Sequence, residues 1–421
     1  MAGGTRTLRV LAALLAGALG ACDDGETIPT APFRAWVLAQ SAYVRLEPSP
    51  ESPVVGLVVR EDELWVTGCV PACDAPDGWA LLGGDGAIRL ANLKLNPSSR
   101  ATPPPGVALP YVYGTVKKNG AVVREEPRTD ARVVEREQAP HVLAFHEEPE
   151  LQDGGWLERL AGGYVSVSDV RLATPSALEG EHSPTLPLAF VVRSAKAVMA
   201  GDAGIPDGGV PFAPHKHERF AVQGMDKGGR VLVEGGALPH QDVRLVLPRQ
   251  RPSQVKPGER WVHVEVSEQV LTAYEGGTPV MATLVSTGKA ATPTREGLFR
   301  VWHKVVHDTM HGPESAPYVV EEVPHSLFFH RGQALHGAFW HDTFGNAVTH
   351  GCVNLSVKDA AWLFDWAPPP MPQGFHAYSP EPAGRTGLWV FVERRPVTRA
   401  VLEGNGTGRL RDDSARLSPL R

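Results

Sequence analysis

The sequence predicts a mainly β protein assembled from several small modules, and three observations carry that prediction. Glycine and proline are dense: 44 Gly and 38 Pro make up nearly a fifth of the 421 residues, against an ordinary share of about 12%. Punctuation at that density breaks helices and favours short strands joined by turns. The β-branched and aromatic runs are short and alternating, as in Trp-Val-His-Val-Glu-Val at residues 261–266, which is the period of a strand. One stretch of the N-terminal half also recurs at a constant offset. A chain of this length holds roughly two to four domains. Lys plus Arg is 41 and Asp plus Glu is 47, for a formal charge of −6. That balance lacks the basic surplus of a nucleic-acid binder, so no nucleic-acid partner is expected. A single apolar run stands out, which excludes a polytopic helical membrane protein.

That run is at the N-terminus. Arg6 and Arg9 precede an apolar stretch at residues 10–19, too short to span a bilayer and suited to a signal h-region. It ends in Gly20-Ala21-Cys22, which resembles the lipobox of bacterial lipoproteins. The resemblance implies a signal peptide at 1–21, a lipid on Cys22 that anchors the chain to a membrane, and a tether over 22–33. The mature chain would then sit in the bacterial cell envelope, lipid-anchored and facing the periplasm. An ordinary secretory signal with an incidental Cys is the alternative. In an oxidising compartment a local disulfide between Cys69 and Cys73 is expected as a loop clip. Two free thiols or a metal pair are the alternatives, and no His or further Cys lies nearby to complete a zinc site. Cys352 is left without a partner.

The repeat aligns Val44 with Val123, Arg45 with Arg124, Glu47 with Glu126, Pro48 with Pro127, Val54 with Val133 and Val55 with Val134. Each copy carries a second anchor, Asp77-Gly78-Trp79 and Asp153-Gly154-Gly155-Trp156. Short alternating runs broken by Gly and Pro read as a small barrel or sandwich. The Val-Arg…Pro turn followed by Asp-Gly-Trp resembles bacterial SH3-like domains. Modules are expected at 34–98 and 108–173, and a degenerate third, lacking the Trp, at 187–249. Linkers are expected at 101–106 and 173–187, and 249–258 leads into the last domain. These modules either hold the C-terminal part away from the membrane or bind wall polymer.

The last domain reads as a meander, with strand-like runs at 261–266, 269–274 and 280–286. Then come His336-Gly337 and Thr349-His350-Gly351-Cys352-Val353-Asn354. A lone thiol is only a few per cent ionised at neutral pH, and a nearby imidazole can take its proton. Gly351 permits close backbone approach, and backbone N–H groups around Cys352 suit an oxyanion. These are the parts of acyl transfer through a thioester. The bland alternative is a buried structural Cys among incidental histidines, since eight of the 16 His fall between His303 and His350.

The spacing of His336-Gly337 and Thr349–Asn354 resembles the L,D-transpeptidase (YkuD-type) motif. Ser286-Thr287-Gly288-Lys289, the stretch 292–297 and the helix-like 358–364 resemble the family's flanking features. The match covers roughly 258–393. It implies a β-rich catalytic domain with a short helix after the Cys. Cys352 would be the nucleophile, His336 its base, and the Gly337 carbonyl the group that orients the ring. His350 and Gly351 would shape the oxyanion site. Thr349 and Asn354 would position substrate, and Trp340, His341 and Phe344, in the loop between the motifs, would line the peptide groove, with packing in the fold as the alternative. The implied partners are peptidoglycan stem peptides: a tetrapeptide is acylated onto Cys352 with loss of D-alanine, then passed to an amine as a 3→3 cross-link or a protein tether. Water as acceptor makes the domain a carboxypeptidase.

No cofactor or metal is expected. His303, His307 and His311 have helical ligand spacing, but their segment is β-prone and no acidic ligand accompanies them. An NlpC-type peptidase places its Cys before its His, opposite to this order. A wall-binding lipoprotein with an inactive catalytic domain is the remaining alternative. Residues 394–421 read as a disordered tail.

Overall fold

The computed structural model describes residues 32–95, 111–146, 155–194, 214–314, 317–397 and Leu402. The expected signal peptide, Cys22, nearly all of the tether, the 101–106 linker and most of the expected tail lie outside the described residues. The chain is mainly β, as its composition predicts, and the one α-helix among the described residues is Val357–Trp366. No helix there is long and apolar enough to cross a membrane.

The repeated sequence builds the same turn twice. Ser41–Arg45 pairs antiparallel with Val54–Val59, and the register shifts between Val44 and Arg45. Ala121–Arg124 pairs with Val133–Glu137 and shifts between Val123 and Arg124. Arg45 Nη1 donates to the Ser52 carbonyl at 2.6 Å, and Arg124 Nη1 donates to the Ala131 carbonyl at 2.7 Å. Each arginine clasps the far side of its own turn, which is the physical content of the shared Val-Arg. The inward residues Val44, Val58, Leu64, Val66 and Ile88 form the first segment's core. Cys69 and Cys73 are joined by a disulfide beside it. All three N-terminal segments close on one local pattern, a 3₁₀ turn followed by a strand: Leu90–Asn92 then Leu93–Leu95, Val167–Asp169 then Val170–Leu172, and His240–Asp242 then Val243–Val246.

These segments are not independent beads. Val54–Val59 pairs with Ala377–Tyr378 of the C-terminal domain. Gly56 is needed there, since a Cβ would stand 2.5 Å from the Phe375 ring. His141–Phe145 pairs in parallel with Val319–His330. The third segment shares a core with the last domain, Leu188, Phe190 and Val246 packing with Val270, Leu284 and Phe344. Two expected boundaries change accordingly. Within the expected linker 173–187, Glu181–His182 is an edge strand paired to Met281 and Ala282, and Leu178 is buried. At the start of the expected disordered tail, the Arg395 N–H donates to Glu265 Oε1 at 2.8 Å and Val397 packs on the third segment's core. In the first case the edge of a sheet offers free backbone groups that the adjoining chain satisfies; in the second a carboxylate and an apolar face hold the chain.

The C-terminal domain sandwiches its helix between two sheets. One runs Glu181–His182, Thr278–Leu284, Val270–Glu275, Arg260–Glu265, Trp389–Glu393, Gly297–Arg300. The other contains His303–His311, Val319–His330, Gln333–Gly337 and Val353–Leu355. Ser356 caps the helix by accepting from Asp359 N at 3.2 Å, satisfying one of the free N–H groups of its first turn. Asp359, itself buried, accepts from Thr283 Oγ1 (2.6 Å) and Gly180 N (2.8 Å). Lys304 is fully buried and closes the other end, its Nζ donating to the carbonyls of Phe364, Ala367 and Pro369 at 2.9–3.1 Å. The helix is thereby held rigidly under the strand that carries His336.

Candidate active site

Two parallel strands bring the motifs together. Gln333–Gly337 pairs with Val353–Leu355 in the register Leu335 to Val353 and His336 to Asn354. Cys352 sits at the mouth of the second strand, one residue before its start. His336 and Cys352 both line a single cavity of about 750 Å³. Its wall also holds Trp340, His341, Thr349, His350 and Asn354.

His336 is 2% exposed. Its Nδ1 donates to the Gly337 carbonyl at 3.0 Å, which leaves Nε2 as the lone-pair nitrogen. Burial pushes its pKa down to about 4, against a smaller upward pull from the Gly337 carbonyl, so the ring is neutral at physiological pH. Trp340 stacks beside it, ring centroids 5.9 Å apart. Cys352 is half-buried and free, its Sγ–H directed to the Gly332 carbonyl at 3.6 Å. Burial raises its pKa above the ordinary thiol value, the Ala334 backbone hydrogen bond lowers it, and the Asp308 charge raises it.

The turn before Cys352 is built by its neighbours. Thr349 Oγ1 donates to the Cys352 carbonyl (2.6 Å) and accepts from Gly351 N (3.1 Å). Gly351 has φ +128°, and a Cβ there would meet the Gln333 amide at 2.6 Å. The stretch from Ser286 to Thr294 cradles this turn. Ser286 and Asn354 exchange backbone hydrogen bonds at 2.8–2.9 Å, Lys289 N donates to the Thr349 carbonyl, and Thr294 Oγ1 donates to the Gly351 carbonyl. Asn354 points its amide Nδ2 at His341 Nε2, 3.0 Å away. Burial lowers the His341 pKa to about 4, so its ring is neutral, and the Thr343 N–H donates to its Nδ1 at 3.2 Å. His350 is exposed, its ring 5.1 Å from that of Tyr318.

Phe344 corrects an expectation. It is fully buried, packed with Leu188, Phe190 and Leu284, and does not line the cavity. The third segment lies over the inter-motif loop there and claims the ring for a shared core. His303, His307 and His311 lie on one strand, where residues four apart stand about 13 Å from each other, so they do not converge on one ion. His263, Glu265 and Glu393 do converge, but Glu393 is paired with Arg249 and His263 while Glu265 accepts from Ser267 and Arg395. Missed by sequence reasoning were Asp308 and four cavity residues of the second segment, Thr115, Pro140, Val142 and Arg171. No local motif marks them, because register alone carries them there.

A family profile described as the L,D-transpeptidase catalytic domain, YkuD, matches residues 259–392. A search of curated proteins finds no match. Among solved structures the chain is similar to an L,D-transpeptidase from Enterococcus faecium, at 22% identity over 33% of this chain and 50% of that one, TM-score 0.27. An L,D-transpeptidase from Mycobacterium smegmatis shows 22% identity over 39% and 65%, TM-score 0.27. The Enterococcus faecium catalytic domain alone shows 23% identity over 32% and 98%, TM-score 0.26. The chain spans about half the length of the first of these. Residues 259–392 are therefore a YkuD L,D-transpeptidase catalytic domain.

Proposed function

We propose that this protein is a peptidoglycan L,D-transpeptidase with Cys352 as nucleophile. The observation that carries the reading is that Cys352 and a buried, neutral His336 open on one cavity, with His336 Nδ1 tied to Gly337 O and Nε2 left basic. His336 Nε2 takes the thiol proton as sulfur bonds to the carbonyl carbon of a stem tetrapeptide's diamino acid. The oxyanion is met by backbone N–H groups of the His350–Cys352 turn, with the Gly351 N–H already given to Thr349. The C–N bond to D-alanine then breaks and His336 returns the proton to the departing amine. An acceptor amine attacks the thioester, loses its proton to His336, and the sulfur leaves as a thiol. The acceptor is a second stem, giving a 3→3 cross-link, or a protein amine, giving a tether.

The N-terminal segments are read as SH3-like modules on a chain anchored through lipidated Cys22 and facing the periplasm. The test is mass spectrometry of muropeptides incubated with the purified protein and with Cys352→Ala. New cross-linked or tethered products from the former alone are expected. Trimmed tripeptides alone would make the enzyme an L,D-carboxypeptidase. No change with either protein would reject catalysis and favour a wall-binding lipoprotein.

A further inference from the structure

We propose that the second β segment is part of the substrate site, and that its Arg171 binds a carboxylate of the peptide whose carbonyl meets Cys352. The proposal rests on the reading of Cys352 given above. It starts from the sheet. Arg171 pairs with Thr115, Thr115 with Val142, Val142 with Val320, and Val320 with Met310. All five line the cavity that holds Cys352 and His336. Residues opposite one another on paired strands share a face, so one unbroken surface runs from the second segment into the catalytic domain. Four strand spacings of about 4.8 Å give this row a length of ~19 Å. The turn that carries Cys352 meets this row at its catalytic-domain end, where Tyr318, two residues before Val320, holds its ring 5.1 Å from that of His350. An extended peptide advances ~3.4 Å per residue. A four-residue stem therefore covers ~14 Å, and a long arginine side chain spans what remains.

This wall is held in place. Arg159, 4% exposed, pairs with Glu137 at 3.1 Å within its own segment and with Glu321 of the catalytic domain at 2.8 Å. Glu321 also accepts from Ala144 N at 2.8 Å. The Tyr113 hydroxyl donates to the Glu322 carbonyl, and its ring stacks on Phe339 at 3.7 Å. Phe339 in turn meets Trp340, which stacks beside His336. The segment thus buttresses the base as well as walling the groove.

Arg171 has the chemistry for an anion. It is exposed, it makes no ion pair among the described residues, and it is the one Arg or Lys among the described residues lining the cavity. Arg124, Arg128, Arg132 and Arg159 of the same segment are each engaged by a carbonyl or carboxylates. A guanidinium offers a planar fork that takes a carboxylate in two parallel hydrogen bonds. Stem peptides carry such carboxylates.

The experiment is titration calorimetry of a stem tetrapeptide with the full chain carrying Cys352→Ala, in which turnover is blocked. Adding Arg171→Gln is expected to raise Kd about tenfold or more, and Arg171→Lys to recover part of the loss. Arg136→Gln, on the exposed strand Val133–Glu137 away from the cavity, is the charge-matched control and should leave Kd unchanged. Amidating the stem carboxylates one at a time should reveal one whose loss costs the Arg171 protein affinity and costs the Gln variant nothing. In the chain with Cys352 intact, Arg171→Gln should raise KM for D-alanine release with kcat nearly kept. Equal Kd for Arg and Gln, an equal loss from Arg136→Gln, or no tetrapeptide binding at all would overturn the subsite. Arg171-dependent binding without D-alanine release from the intact chain would instead reject the role of Cys352 and leave the subsite standing.

Discussion

Cys352 is expected to react as a thiol that is deprotonated during attack, not as a standing thiolate. Burial holds its pKa above the ordinary value of 9.0, while burial holds His336 at about 4. At neutral pH less than about 1% of the sulfur is then ionised. Moving the thiol proton to His336 is therefore uphill at rest, before the charges' own attraction is counted, because burial disfavours both charged forms. The assay is the second-order rate of iodoacetamide alkylation at Cys352, followed by intact mass from about pH 5 to about pH 10. The logarithm of the rate should climb steadily through neutrality and level off only above about pH 9. His336→Gln should slow D-alanine release by roughly 10²–10⁴-fold and leave alkylation at high pH nearly unchanged. An inflection at or below neutrality in the native protein, abolished in the variant, would refute the reasoning, because it would reveal a preformed ion pair.

Further outcomes follow from the same geometry. Cys352→Ala should abolish D-alanine release with little change in Tm, and Cys352→Ser should be nearly as inactive because a hydroxyl is the weaker nucleophile. Lys304→Met should destabilise the C-terminal domain by about 3 kcal/mol in urea titration, since three buried carbonyls at the helix end lose their charged donor. Gly351→Ala should cost about 1–3 kcal/mol of strain at φ +128° and displace Gln333, lowering kcat far more than it raises KM. Acid should destabilise the fold between about pH 6.5 and about pH 4. His307, His325, His336 and His341 are depressed to about 3–4 by burial, so over that window the unfolded chain takes up protons that the folded chain refuses. Asp62 and Glu265, raised by burial to about 6 and about 7, act in the opposite sense and offset part of the loss. A Tm that stays level from pH 6.5 to pH 4 would contradict this assignment.

Much of the site was legible because its chemistry is local. Thr349, Gly351 and Cys352 form one turn closed by their own hydrogen bonds, and a turn of that kind is written in consecutive residues. The Gly-Lys and Thr-Pro stretch that cradles it was legible for the same reason: a Cβ at Gly288 would stand 2.1 Å from the Thr292 carbonyl, a contact spanning four residues. The repeated Val-Arg announced two like turns, and each arginine reaches only seven residues to its acceptor.

Phe344 illustrates the other kind of information. Its type and its place between the motifs suit a groove wall, yet Leu188 and Phe190, more than 150 residues earlier, bury it. Glu181–His182 is another case, a stretch with linker composition recruited to a sheet edge about 100 residues away. Arg171 is the sharpest. Nothing in Val-Arg-Leu distinguishes it from a solvated strand residue, and only the parallel pairing of His141 with Val319 brings it to the cavity that Cys352 lines. The sequence by itself determined the β class, the repeated turns and the paired His336 and Cys352 motifs, because periodicity, turn chemistry and motif spacing act over a few residues. Tertiary structure alone decided which loop residues are core and which distant strand walls the groove, because strand register between remote segments is set by the packing of whole faces.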